Sequence, residues 1–517
     1  MYGLDITFLT LATTPNTSAI DVLISALEDG DKYLRRRALG SLLQRSETSA
    51  ATKLLSLWNK LDEENREALK ASKKWIQQAV LDALLEANES VHVAIKATAT
   101  LELYSSVSSL LDLAETHRSR TVRQESTTAV LTLAQKLGFD ARHDRDVPSA
   151  RRPLIARLDT SVRCLSVHRN ETLIDAFLMA STWSDASLRL ALQPDHPAAV
   201  PLLHRLEESP RYGVVELLAG FLRRRKIASR VAGVIQRRPD EVCRDAILRT
   251  ITKQPSNAVL RNLRSIGLPM SCRGDEKLMR ELPAEQRAAF AHLHIAVTDD
   301  ITTLLQVLVT AVELGGPGCC EAAVVGLDRC EVPNFQFWLS AGLLVADGNA
   351  EAIAGDPRAG LLKRLIDLLA HRDAEVVRGV NRVLGALRAD NAVAHFKHLD
   401  LSTGQRLGRI VMTVDPDAIH HIRDGLRHPV MKHRLAAIDA AEALAAVDLL
   451  VDLFTRISRD DHQEARIRAA QAMGRAGSEP TLELLREMTE LPDCAARDAA
   501  VAALEYRQNS CPSWSTS

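Results

Sequence analysis

The sequence predicts an all-α solenoid, a quasi-linear stack of antiparallel helix pairs. Three observations predict it. The first is length: 517 residues exceed what a single hydrophobic core usually supports, so the chain is either several domains or a repeat array. The second is composition, with 46% hydrophobic residues and only 4% aromatic ones. Leu, Ala, Val and Ile carry the apolar content, which suits helix-on-helix packing and not the aromatic, β-branched faces of sandwiches and barrels. The third is a recurring motif, Arg-x-x-Ala with an apolar residue seven positions after the Arg. It reads RLAAIDAAEAL at 434–444, RIRAAQAMGRA at 466–476 and RDAAVAALEYR at 497–507, with Arg434, Arg466 and Arg497 spaced 32 and 31 residues apart. Near the N-terminus RRRALGSLL repeats it with Arg35, Ala38 and Leu42.

Taken in order, MYGLDITFLTLATTPN lacks a basic leader and is interrupted by Asp5, so it reads as a first helix and not a signal peptide. Residues 19–29 form an amphipathic helix, Asp29-Gly30-Asp31 a turn, and Arg35 opens the next helix. A looser copy begins at Arg123, with Ser126 and Val130 in place. The middle carries amphipathic pieces at 172–181, 198–208, 213–226 and 241–252, punctuated by Pro194, Pro197, Pro210, Pro239 and Pro255. The C-terminal part alternates amphipathic helices (361–371, 446–458, 481–491) with turns: His371-Arg372-Asp373, His428-Pro429, Asp460-Asp461 and Pro492-Asp493. Asp and Pro there suit helix N-caps and first turns. The copy at Arg378 has Asn381 in place of the small residue. Stretches 138–153, 267–284, 314–318 and 346–360 read as long inter-helix loops, and no run alternates with the period of a strand. The expected organisation is N-terminal repeats over 1–146, irregular basic helical repeats over 147–345, C-terminal repeats over 346–507 and a polar tail at 508–517.

The unit is thus a helix, a short Asp/Pro turn, and a second helix opening Arg-x-x-Ala. The small residue allows close helix approach, and the Arg can meet an acidic side chain at the turn. This pattern resembles HEAT repeats, clearly at 19–43 and 361–507 and faintly at 118–137. The resemblance implies a right-handed superhelix of antiparallel helix pairs, and at ~40 residues per pair the chain holds roughly twelve. It speaks for a fold, not a function.

Charge is balanced overall, 65 basic against 66 acidic side chains, but not along the chain. Residues 118–270 hold 26 Lys/Arg against 15 Asp/Glu, and residues 271–517 hold 27 against 35. Arg is used 51 times and Lys 14. Within the basic middle, Arg151 and Arg152 open the segment, and Arg223, Arg224, Arg225 and Lys226 end one helix. Arg230, Arg237 and Arg238 follow on the next. Lining one face of a repeat stack, these nine would form a positive strip for phosphate or an acidic peptide. The plainer account is helix C-terminal cations, compositional bias towards Arg and solvated surface. Few aromatics in 213–270 argue against single-strand stacking recognition. Eight scattered cysteines, without C-x-x-C or zinc-site spacing, fit a reducing compartment. No stretch has the ~18–20 apolar residues of a membrane span. The expected location is cytoplasmic.

Some helical arrays of this kind are catalytic. Deoxyhypusine hydroxylase resembles such an array with His-Glu dipeptides, yet none of the sixteen His here is followed by Glu. Bilin lyases of this type carry no short motif to compare. In HEAT-like DNA glycosylases, which are far shorter, a basic groove carries aromatic and acidic residues. Trp183 and Asp185 fit that only superficially and read more simply as a helix-end cap and an N-cap. His420, His421, His428 and His433 suggest a metal, but without acidic or Cys partners in register they read as solvated turn residues. His371-Arg372-Asp373 lies in a repeat turn, with no Gly-rich loop to make it kinase-like. Cys319-Cys320 after Gly315-Gly316-Pro317-Gly318 would be reactive if a helix N-terminus lowered a thiol pKa, and structural if buried. No P-loop, nucleophile elbow or zincin motif occurs. The expectation is therefore a scaffold without catalysis, cofactor or metal, binding a protein partner with an acidic segment. Nucleic-acid binding through the Arg strip, glycosylase-like or not, is the alternative.

Overall fold

A computed structural model describes residues 2–86, 89–143, 149–251, 255–274, 276–490, 492 and 494–510. Among them the chain forms thirty-four α-helices and six short 3-10 turns, with no strand. It divides into two compact units, the first within Met1–Ile251 and Pro255–Arg273, the second within Gly274–Ser517. The boundary falls inside the 267–284 stretch. In each unit most helices pack on the next one or two along the chain, with longer reaches where short helices intervene, as between Arg120–Arg142 and Thr172–Ala180 or Phe335–Asp347 and Leu401–Val414. That is the packing of a repeat stack, and it makes the fold an all-α solenoid. Near the C-terminus Leu401–Val414, Met431–Ala443, Gln463–Arg475 and Cys494–Ser510 lie against one another in succession. The intervening helices Ala418–Leu426, Val451–Asp460 and Glu479–Thr489 each pack on the helix that follows them.

The motif's small residues lie where these helices touch. Ala38, Ala437, Ala469 and Ala500 are all fully buried. The tightest approach in this layer is at Gly408, where a Cβ would sit 2.2 Å from the Ala443 carbonyl oxygen. Asp31 and Asp373 serve as the expected N-caps, accepting from the Leu34 and Glu375 amides at 2.9 Å each. Asp461 does not. It instead pairs with Arg434 of the preceding repeat (2.6 Å), and His462 takes the cap position. Asp493 lies outside the described residues, as do 144–148 and most of the tail.

The motif arginine has a different main use from the expected acidic partner. Arg35 donates to the Glu28 carbonyl at 3.5 Å, Arg123 to His117 at 2.5 Å, Arg434 to His428 and Pro429 at 2.8 Å, and Arg466 to Ser458 at 2.9 Å. The acceptors lie at the C-terminal end of the preceding helix, where the last carbonyls have no intrahelical partner, or, for Arg434, in the turn just past it. The guanidinium fork satisfies more than one such oxygen and complements the negative end of the helix dipole. Arg378 instead pairs with Glu375, and Arg382, one turn later, reaches the Leu327 and Cys330 carbonyls. The same device recurs outside the motif. Arg45 caps Tyr2–Thr13, Arg142 caps Thr172–Ala180, Arg238 caps Ala199–Glu208 and Arg287 caps Ile301–Leu314. A lysine ammonium is a point donor that matches this geometry less well, which gives the preference for Arg a structural reason.

Three of the four expected loops are partly helical. Met270–Cys272 and Glu276–Glu281 fall within 267–284, and Arg120–Arg142 extends into 138–153. Ala350–Gly355 falls within 346–360. The 314–318 stretch is a true turn, with Gly315, Gly316 and Gly318 all at positive φ.

Candidate binding surface

The nine basic residues named from the sequence separate into three groups. Arg238 is withdrawn from the strip: it is 2% exposed. Its guanidinium donates to the Leu206 and Ser209 carbonyls at 2.7 and 2.5 Å and pairs with Asp240 at 2.5 Å. Burying that charge is tolerable only because every side of it meets an acceptor. Arg151 is likewise engaged, donating to the Ala180 carbonyl at 3.2 Å and pairing with Asp185. Arg237 is exposed but pairs with Glu207 through two contacts of 2.9 and 3.0 Å, and Arg223 lies 5.1 Å from the Trp183 ring centroid. Arg152 and Arg230 are exposed. The third group is Arg224, Arg225 and Lys226, which line one cavity of about 540 Å³ in the first unit together with Arg261, Asn262 and Ser265.

This cavity is built by two pieces of chain. The first is the loop between the 3-10 turn Phe221–Arg223 and the helix Ser229–Arg237. The second is the helix Asn257–Ile266, whose inward stripe is Val259, Asn262, Leu263 and Ile266. Asn262, 3% exposed, clamps the loop at both ends. Its amide nitrogen donates to the Leu222 and Arg224 carbonyls at 2.9 and 2.7 Å, and its oxygen accepts from the Ile227 amide at 3.3 Å. Arg261 precedes Asn262, and Ser265 lies one turn from Arg261. Among the described residues, Arg224, Arg225, Lys226 and Arg261 form no ion pair. Four cations thus converge on one concavity lined by no carboxylate.

Sequence reasoning did not single out Arg261, Asn262 or Ser265. The available signal was the amide at 262, set in an otherwise apolar helical stripe (259, 263, 266), where a polar residue must be hydrogen-bonded.

Other candidates resolve into structural roles. Trp183 packs against Gly220, where a Cβ would meet its ring at 2.4 Å, and Asp185 accepts from the Thr182 amide at 2.6 Å and pairs with Arg151. Asp185 precedes Ala186–Ala191 without capping it through its side chain. His421 stands 3.8 Å from Asp415, and the His428 and His433 rings are 4.2 Å apart. Among the described residues no three His, Cys, Asp or Glu side chains converge as metal ligands. Burial pushes the Cys319 and Cys320 thiols up, the opposite of helix-terminus activation. Asp373 and Glu321 add to the effect at Cys320. A cavity of about 640 Å³ in the second unit holds the stacked Phe335–His395 pair, but its arginines are committed. Arg382 holds two carbonyls and Arg388 holds Asp415. No helix among the described residues is long and apolar enough to cross a membrane.

No family model matches this chain, and no curated protein matches it. Known structures do match over nearly its whole length. One is an engineered protein, 14% identical, covering 95% of this chain and 98% of that one with a TM-score of 0.27. A chain from a structure of the interaction between cadherin and beta-catenin is 14% identical, covering 94% and 100% with a TM-score of 0.34. A homology model of the full-length AP-3 complex in an intermediate open conformation is 13% identical, covering 98% and 93% with a TM-score of 0.30. Likeness at these scores carries no functional information.

Proposed function

We propose that this chain is a HEAT-like, non-catalytic interaction scaffold that holds a protein partner by an anionic segment docked at the basic cavity of the first unit. The observation that carries this reading is the convergence of Arg224, Arg225, Lys226 and Arg261 on one cavity without an ion-pair partner among the described residues. Several other arginines of the basic middle are engaged: Arg142 with Glu216, Arg157 with Glu115, and Arg205 and Arg211 with Asp175. A repeat stack offers an extended surface around such an anchor. A nucleic-acid partner would need a run of free cations along the backbone, whereas Arg151, Arg237 and Arg238 are engaged within the fold.

The test is affinity capture from native lysate, divided into nuclease-treated and untreated halves, with wild type and the double variant R225E/K226E. The reading expects a discrete protein partner that survives nuclease and is lost with the double variant. Capture that depends on nucleic acid, or that ignores the charge reversal, overturns it.

A further inference from the structure

We infer that the cavity bounded by Arg224, Arg225, Lys226 and Arg261 is a receptor for a phosphate monoester, carried on a phosphorylated side chain of the partner's segment. This rests on the proposed scaffold reading and narrows it: the anion is a phosphate, not a run of carboxylates.

Three features favour phosphate. The first is charge density. Four cations face a single cavity of about 540 Å³. A carboxylate brings one negative charge, whereas a phosphate monoester brings about −1.5 to −2 at pH 7 and three strong acceptor oxygens. The second is donor type. Three of the four cations are guanidinium forks, which pair two oxygens at once, and Ser265 adds a hydroxyl. The third is confinement. A string of acidic residues advances roughly 3.3 Å per residue when extended and needs a rail of free cations. The rail is interrupted here: Arg223 lies on Trp183, Arg237 pairs with Glu207 and Arg238 is buried on carbonyls.

The site is also held in place before any ligand arrives. Asn262 fixes the loop at Leu222, Arg224 and Ile227 from the helix that presents Arg261. The loop cations therefore hang from a clamped backbone, which lowers the ordering cost of binding. Arg230 and Arg264, exposed and outside the cavity, add long-range attraction.

The experiment is calorimetric titration of the full-length chain at constant ionic strength. The probes are inorganic phosphate, O-phosphoserine, glutarate and octaglutamate, and in a second series at stepped salt concentrations an oligonucleotide competes with O-phosphoserine. Two degenerate peptide libraries, one with a fixed phosphoserine and one with serine in its place, are then presented to the immobilised chain. The expected result is saturable binding of phosphate and phosphoserine, with glutarate and octaglutamate at least tenfold weaker, and retention of the phosphorylated library only. Affinity for phosphoserine should fall at least tenfold in R225Q/R261Q, whose side chains are exposed, with an unchanged circular dichroism spectrum. It should also weaken as the phosphoserine dianion takes up a proton near about pH 6. Binding of phosphate without retention of the phosphorylated library would make this a free-phosphate site and overturn the assignment. Equal binding of octaglutamate would overturn phosphate selectivity while leaving the scaffold reading intact. An oligonucleotide that displaces phosphoserine with a steep salt dependence would overturn both, as would no binding of any probe together with partner capture that ignores R225E/K226E.

Discussion

Replacing Asn262 by alanine removes the clamp that shapes the basic loop. The side chain makes three hydrogen bonds, two to carbonyls and one from an amide, and is almost wholly buried. Each such bond contributes about 1 kcal/mol net, and each buried group left without a partner costs about 1–3 kcal/mol. Some of the freed groups reach water through the cavity, so the expected cost is about 3 kcal/mol, or roughly a hundredfold in the local opening equilibrium. Hydrogen exchange followed by mass spectrometry reads this at peptides spanning 221–230, where protection should fall by about that factor. Asn262→Asp makes a sharper companion. It keeps an acceptor for the Ile227 amide but turns oxygen towards the Leu222 and Arg224 carbonyls, so it should open the loop at least as far. Phe221, Leu222 and Ile227 are themselves buried. Unchanged exchange in both variants would mean that their packing, not the amide, holds the loop, and the argument for a preformed site would fail.

Three further outcomes are expected. Arg238→Met should destabilise the chain by about 3 kcal/mol by stranding the Leu206 and Ser209 carbonyls, whereas the neighbouring Arg237→Met should leave the urea midpoint unchanged, since exposed ion pairs contribute little. Gly408→Val should cost about 2 kcal/mol or more in urea denaturation, because its Cβ would overlap the Ala443 carbonyl at 2.2 Å. Stability should also fall at alkaline pH. Burial pushes the Cys243 thiol up to about 11 and the Cys272 thiol up to about 12. An unfolded thiol ionises near about 8.5, so above that pH the unfolded chain binds fewer protons than the folded one. The stabilisation from keeping these thiols neutral is complete below about 8.5 and drains away through the folded values. Urea midpoints at pH 7.5 and 10 should differ in this sense, and the difference should shrink in Cys243→Ala.

Much of the fold is legible in the sequence because its determinants are local. The buried Ala38, Ala437, Ala469 and Ala500 and the capping Asp31 and Asp373 are set by spacing within one helix pair. The 346–360 stretch misleads for an instructive reason. Its Gly348, Asn349, Asp356 and Pro357 look like loop composition. In fact they are the C-cap of one helix, the N-caps of two more and a first-turn proline, with Ala350–Gly355 fitted between them. The basic surface is less legible, since exposure depends on tertiary partners. Arg237 and Arg238 are adjacent, yet one faces solvent and the other lies beneath two carbonyls. Arg261 joins Arg224–Lys226 only through the packing of Asn257–Ile266 against the loop.

The arginine caps bear on how such a chain can change over time. Arg123, Arg142, Arg238, Arg287 and Arg434 each hold a neighbouring helix by its carbonyl oxygens, which every amino acid supplies. The contact therefore constrains the arginine and leaves its partner's side chain free to drift. Correlated substitution between the two positions is not required, so methods that infer proximity from paired changes would pass over these joints. A helix end can exchange most of its side chains and still be met by the same guanidinium, which lets the array lose its sequence periodicity while keeping its geometry.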